Sequence, residues 1–452
     1  MAKAPGPTGR EALRRFRELD QDPLAYLSSL ANQYGDLLRL PLPRGQAFVV
    51  SRPELAGHVL VGNQANYTKA RTYLPLTELL GNGLLTNEGE HWVKQRRLVQ
   101  PMFSRRRIDA FAPAMTGAAS RTLDGWAARP AGSTVDVAAA MNALTLDVVG
   151  RALFSSDLTG HAAAVAPALA VALEMFEKVV SNPLFMLVPN FHRWPTPSRL
   201  RSRGSEKVLR DVVDGMITAR RTQGGQHGQE DLLDMLLAAR DADSGEPMPE
   251  QQIRDELMTF MLAGHETTST ALSWTLMLLS QHPRARERLE AEVDQLLSGR
   301  LPTAEDAGKL EWTTAVLEES MRLYPPAWMF EREAQADDEL DGVPVPAGSI
   351  VATPPYLIHR NRQHWPNPEG FEPERFLPGA GAGRHRLAYL PFGAGRRICV
   401  GSGFAMLEAT LLLAAIVQRF RLDLAPGYRP ALNPTVTLRP DGPMPMSLHP
   451  RL

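Results

Sequence analysis

The side chain best equipped for chemistry in this 452-residue chain is Cys399, its only cysteine, set in Phe392-Gly393-Ala394-Gly395-Arg396-Arg397-Ile398-Cys399-Val400-Gly401. One thiol cannot build a disulfide framework, a cysteine-rich zinc site or an iron–sulfur cluster, so Cys399 acts, if it acts, as a lone thiolate. Glycines at 393, 395 and 401 let the backbone turn tightly and approach a flat cofactor. Phe392 offers an aromatic cover, and Arg397 a fixed charge that favours a thiolate and grips a carboxylate. Beyond Gly401, Phe404, Leu407, Leu411 and Leu412 recur at helical spacing. The thiol therefore precedes a helix N-terminus, whose free amides and dipole stabilise an anion. A lone cysteine is as a rule a small buried hydrophobe; here its glycine, arginine and phenylalanine neighbours argue for ligation instead.

A second constellation, Ala263-Gly264-His265-Glu266-Thr267-Thr268, stands near the centre of the longest helical pattern, residues 249–281. Small residues at 263 and 264 open one face, and a hydroxyl at 267 can bond the Ala263 carbonyl, breaking the helix and leaving a groove. Glu266 beside Thr267 sets an acid and an alcohol at one level. Taken alone, the segment is also a glycine-weakened helix with an exposed glutamate. A third constellation pairs Glu319 and Arg322 at i, i+3 on a helix ending at Tyr324, before Pro325 and Pro326. Such a pair is commonly a solvated surface pair of little energy.

Together these segments resemble the cytochrome P450 family of haem-thiolate monooxygenases. The Cys399 run matches the loop FxxGxRxCxG without a gap, AGHETT matches (A/G)Gx(D/E)T(T/S), and Glu319, Arg322 and Arg375 of Pro373-Glu374-Arg375-Phe376 match ExxR and PERF. The resemblance spans roughly residues 20 to 450. It implies a mainly α fold with a small β part, the P450 fold, with haem between a long central helix and the cysteine loop. Cys399 would be the axial ligand of haem b, with Phe392, Ala263 and Gly264 against the ring. Trp92, Arg96, Arg332 and Arg397 would hold the propionates by charge-assisted bonds. Thr267 would hydrogen-bond the diatomic ligand while Glu266 relays protons from solvent, and Glu319, Arg322 and Arg375 would form a buried triad fixing the cysteine loop. The substrate pocket would draw on Tyr73, Leu74, Phe260, Ala263, Ala327, Trp328, Met329 and Val436, an apolar set suited to a hydrophobic small molecule such as a fatty acid, terpenoid, carotenoid or polyketide.

The implied reaction inserts one atom of O2 by hydroxylation or epoxidation. Its electrons come from NAD(P)H through a separate ferredoxin or flavodoxin and its reductase. Lys94, Arg97, Arg105, Arg106, Arg107, Arg384, Arg386 and Arg396 are candidates for a basic face that steers an acidic partner. Rival readings are a peroxide-driven haem-thiolate peroxygenase, a haem-binding sensor or carrier without turnover, and an α-rich module that binds no haem.

The elements that must position these residues follow from composition and period. Hydrophobic residues make up 44% and charged residues 22%, ordinary globular values. No linker or repeat divides the chain, so a single domain over 1–452 is expected. Its β-rich parts would be about 36–66, 325–360 and 420–452, and its helical parts about 67–324 and 400–420. Forty-nine basic against 50 acidic residues give a formal charge of -1, which favours neither nucleic acid nor an acidic membrane. No signal-like apolar core appears at the N-terminus, and the longest apolar run, 409–417, is half a membrane span. A cytoplasmic monomer without a membrane anchor is expected. Residues 36–51 read as a hairpin turning at Pro43-Arg44-Gly45, and helices are expected near 89–104, 136–153, 163–181, 204–221, 249–281, 283–298 and 312–323. Strands are expected at 349–353 and 435–438, and apolar loops, read as mobile covers, at 67–86 and 182–197.

Overall fold

The computed structural model describes residues 4–8, 11, 18, 21–42, 45–155, 159–188, 190–222, 231–241 and 245–451; Pro43 and Arg44 of the expected hairpin turn lie outside them. The longer helices are α1 (Pro23–Tyr34), α2 (Leu74–Leu80), α3 (Gly89–Val99), α4 (Ala112–Ala127), α5 (Val137–Phe154), α6 (Thr159–Val180), α7 (Pro197–Thr222), α8 (Glu250–Gln281), α9 (Pro283–Leu297), α10 (Glu311–Leu323) and α11 (Ser402–Arg419). The strands are β1 (Leu37–Pro41), β2 (Gln46–Val50), β3 (Tyr67–Lys69), β4 (Thr134–Asp136), β5 (Phe330–Ala334), β6 (Asp338–Leu340), β7 (Val343–Val345), β8 (Ile350–Thr353), β9 (Phe420–Leu424), β10 (Leu432–Pro434), β11 (Leu438–Pro440) and β12 (Pro445–Pro450).

Local chemistry sets several boundaries. Asp136 caps α5 by accepting from the Ala139 amide at 3.3 Å. Helices α8 and α10 stop before Pro283 and Pro325, because a proline disfavours the helical conformation of the residue before it. α8, at 32 residues about 48 Å long, runs through the main apolar core and packs on α5, α7, α10 and α11. Helices α5 and α11 are apolar enough to cross a bilayer, but 67% and 72% of those spans are buried inside the fold.

The main sheet has the order β1-β2-β8-β5-β3, antiparallel except where β2 meets β8. A three-stranded sheet β4-β12-β9 and hairpins β6-β7 and β10-β11 complete the β part. The Trp274 indole of α8 donates to the Leu438 carbonyl at 2.7 Å and stacks on Tyr324 at 4.6 Å. That bond ties the β10-β11 hairpin to the central helix.

Three expectations change. Residues 67–86 hold β3, a 3-10 turn and α2 rather than a loop, and 182–197 hold a short helix, Pro183–Leu187, and another 3-10 turn. In α2 and Pro183–Leu187 a proline lies at the first or second helical position, where its missing N–H costs nothing, and the runs are too short to show a period. Residues 435–437 form the turn of β10-β11, so only Leu438 of the expected strand is in one.

Candidate functional site

The cysteine loop is held by backbone and close packing. The Cys399 amide donates to the Phe392 carbonyl at 2.9 Å, and α11 begins at Ser402. Gly395 has φ +70°, and a Cβ there would stand 1.9 Å from the Leu60 carbonyl oxygen, so no other residue fits without moving the backbone. Cys399 is exposed, yet burial raises its thiol above the usual range, with the Gly401 amide and the Arg96 charge opposing. Both facts hold together if the sulfur faces a cleft inside the molecule rather than the outer surface.

On α8 the same contrast recurs. Ala263 is exposed although Leu262, His265 and Glu266 beside it are buried. The Thr267 hydroxyl donates to the Ala263 carbonyl at 2.7 Å, but α8 continues unbroken through this point. The expected break is absent because a carbonyl can accept from the hydroxyl while keeping its amide partner; the small Ala263 side chain alone leaves the space. Gly264 does not face this space: a Cβ there would lie 3.1 Å from Val149 of α5. It serves the α5–α8 contact.

A cluster of cations fits a dianionic cofactor. Burial and the charges of Arg332 and Arg397 hold the Lys69 ammonium well below its ordinary range, with Glu88 opposing. Burial, against the pull of Glu88, brings the Arg397 guanidinium down to about 10, and Arg332 adds repulsion. Arg397 pairs with Glu88, donates to the Asn87 carbonyl at 2.8 Å and lies 4.0 Å over the Trp92 ring. Three clustered cations are the donor set two propionates would satisfy. Arg96 Nη1 donates to the Ile398 carbonyl at 2.9 Å, beside the thiol. Lys69 was invisible in the sequence, being a single lysine in a three-residue strand.

The structure brings Glu319, Arg322 and Arg375 together. Arg322 and Glu319, both fully buried, are joined at 2.7 and 2.8 Å, and Arg375 Nε stands 3.4 Å from the same carboxylate. Arg322 also donates to the carbonyls of His359, Pro368 and Gly370 at 3.0, 2.6 and 2.8 Å, and the Glu372 amide donates to Glu319 at 2.8 Å. The triad thus fixes the 359–375 segment.

Expected pocket residues divide. Phe260 is buried, 5.5 Å from the Phe103 ring, while Ala327 and Val436 are part-exposed. Trp328 belongs to the core: it is 6% exposed, its indole donates to the Thr435 carbonyl at 2.8 Å, and Met329 packs on the same cluster. Tyr73 lies 4.5 Å under Lys69 Nζ, on the cation side, and Leu74 is 44% exposed. Phe330 covers Gly393, whose Cβ position is 3.6 Å from its ring.

Glu266 is 6% exposed, and its Oε1 accepts from the Thr437 hydroxyl at 2.8 Å. Burial raises its carboxyl above the ordinary range, opposed by that bond and by the charge of Arg439. Thr437, on the C-terminal hairpin, carried no sequence signal.

The cytochrome P450 family model matches residues 5–444. The chain is 37% identical over 430 residues to cyclooctat-9-en-7-ol 5-monooxygenase of Streptomyces melanosporofaciens, covering 95% of this chain and 91% of that one. It is 34% identical over 419 residues to pentalenene oxygenase of Streptomyces avermitilis, covering 92% and 90%. The crystal structure of the cytochrome P450DA heme domain superposes with a TM-score of 0.89 at 28% identity, covering 100% of this chain and 98% of that one.

Proposed function

The chain belongs to the cytochrome P450 family and is a monooxygenase; from that premise we propose that it oxidises a cyclic terpenoid, with haem b held by the Cys399 thiolate. The observation that carries the haem assignment is the convergence of an internally exposed Cys399, an exposed Ala263 on a buried helix and the Lys69, Arg332 and Arg397 cluster. Bound haem supplies oxygen activation, which a thiolate ligand favours by promoting O–O cleavage.

This chain's residues do the rest. Trp92, Lys69, Arg332 and Arg397 orient the propionates, and Arg96 steadies the cysteine loop through Ile398. Thr267 and Glu266 deliver protons to the cleft, Thr267 by a hydroxyl that leaves the Ala263 carbonyl and Glu266 as the acid. The part-exposed Ala327 and Val436 and the buried Phe260, packed on Phe103, are apolar residues that suit a hydrocarbon. A terpenoid is the class in which the relatives named for cyclooctat-9-en-7-ol and pentalenene act.

Electrons come from a ferredoxin or flavodoxin drawn to a basic face made by Lys94, Arg105, Arg106, Arg386 and Arg396, all exposed. Two arginines first assigned to that face are engaged, Arg384 4.0 Å over Trp365 and Arg107 at Met235, while the exposed Arg97 and Arg105 each stand 3.8 Å from an aspartate, Asp241 and Asp109.

The test is a screen for substrate-induced spin-state shifts across cyclic terpenes, fatty acids and polyketides, followed by turnover with a ferredoxin system. Terpene-selective shifts and an oxygenated product are expected, along with a red-shifted carbon monoxide band that is lost in Cys399→Ala. Turnover with peroxide alone, or a thiolate spectrum with no NAD(P)H consumption on any substrate, would overturn the reading.

A further inference from the structure

A cavity of about 480 Å³ lies between α5, α6, α8 and the β10-β11 hairpin, and neither Ala263, Thr267 nor Cys399 lines it. Its outer lining includes the exposed Ala139, Asp441 and Gly442, and its inner lining the buried His265, Glu266 and Ser269. It therefore grades from the surface to the central helix. At about 100° per residue, Glu266 sits about 60° round α8 from Ala263, while His265, Ser269 and Ser273 fall farther round on the cavity side. Glu266 and Thr270, the latter about 20° from Ala263, thus border both the cavity and the cleft that Ala263 faces, and Glu266 is the titratable one of the two.

The inner end is polar and underused. Both ring nitrogens of His265, 5% exposed, lack a protein partner. A buried polar atom left this way costs free energy, and ordered water in a polar space of this size is its ordinary remedy. Thr437, reaching from the hairpin, donates to Glu266 Oε1 at 2.8 Å, and no hydrogen bond joins Glu266 to Thr267. The carboxyl is therefore held on the hairpin side, turned from the alcohol it would supply.

We propose that this cavity is the water inlet for proton delivery and that Thr437 is a positioning residue holding the Glu266 carboxyl at its inner end. The proposal rests on the monooxygenase reading. A proton from bulk solvent is relayed along the cavity water to the Glu266 carboxylate, each water passing one proton on as it takes one up, so that no hydroxide is left inside; the acid leaves Thr437, turns towards Thr267 and releases the proton into the cleft; the carboxylate returns to Thr437. Two such cycles supply the two protons that each turnover consumes. Among the described residues the charged groups lining the cavity are Arg439, Asp441 and Asp136, with His265 on the same helix as Glu266; Arg439 acts on Glu266, and Glu174 and Glu177 of α6, which lies against the cavity through Leu169, Ala170 and Leu173, act in turn on Arg439.

The test uses the haem-loaded enzyme and two readouts. Infrared difference titration follows the carboxyl stretch of Glu266, identified by its loss in Glu266→Gln. Losing a hydrogen bond to the charged form is expected to raise the proton affinity about tenfold in Thr437→Val and to leave Thr437→Ser near wild type. Filling the inlet at Ala143, which is exposed on α5 and lines the cavity, with Ala143→Leu is expected to enlarge the solvent deuterium isotope effect on turnover. An unmoved titration in Thr437→Val, or an isotope effect unchanged in Ala143→Leu, overturns the inlet. The titration needs no turnover, so failure of the monooxygenase reading looks different: wild type makes no product.

Discussion

Replacing Glu319 by Gln keeps the size of the side chain and removes only its charge. Arg322 would stay fully buried, with Nε and one Nη facing an amide where they now meet a carboxylate at 2.7 and 2.8 Å. Breaking a buried ion pair by removing one partner costs about 3–5 kcal/mol, because the remaining charge is uncompensated. Replacing the pair together by apolar residues is often neutral in other proteins. Here it should not be. Arg322 serves the carbonyls of His359, Pro368 and Gly370, and Glu319 accepts from the Glu372 amide. A Glu319→Leu/Arg322→Met chain would orphan four backbone groups at about 1 kcal/mol or more each, a loss of at least about 4 kcal/mol. Urea unfolding followed by tryptophan fluorescence, with haem retention measured on the same samples, checks both. A Gln variant within 1 kcal/mol of wild type, or a double variant as stable as wild type, would refute the claim that the triad holds the 359–375 backbone.

Two further outcomes follow. Glu256 is buried and accepts from the Leu84 amide at 3.0 Å, and burial pushes its carboxyl from 4.5 up to about 8. Between those values the folded chain keeps a proton that the unfolded chain has lost, so folding stability falls as pH rises through the window, by about 5 kcal/mol in all. Glu256→Gln should cancel that slope, and a wild-type minus variant difference that does not change from pH 5 to about 8 would contradict the assignment. Glu78 of α2 accepts from Arg193 at 2.9 Å, joining the two segments first read as covers, and from Arg199 of α7 at 3.1 Å. Glu78→Gln should raise the rate of substrate association about fivefold, the equivalent of about 1 kcal/mol, with little change in unfolding midpoint; stopped-flow spin-shift traces that match wild type would count against a latch.

The local chemistry was legible in the sequence because it lies in short contiguous runs. The Cys399 loop needs its glycines for backbone reasons that neighbours in sequence dictate, AGHETT sits inside one helical period, and Glu319 and Arg322 share a helix face by spacing alone. The long helices near 137–154, 250–281 and 283–297 followed likewise from apolar period and proline punctuation. What the chain could not disclose is which distant residues meet. Lys69 joins Arg332 and Arg397 only because β3 pairs with β5 and the cysteine loop folds beside them. Thr437 reaches Glu266 across 171 positions because Trp274 pins the hairpin to α8. The sides that Gly264 and Trp328 take were also settled by packing, against Val149 in one case and the Thr435 carbonyl in the other. Periodicity assigns a residue to a face, but only tertiary contact decides what that face meets, since burial and charge depend on neighbours far away in the chain.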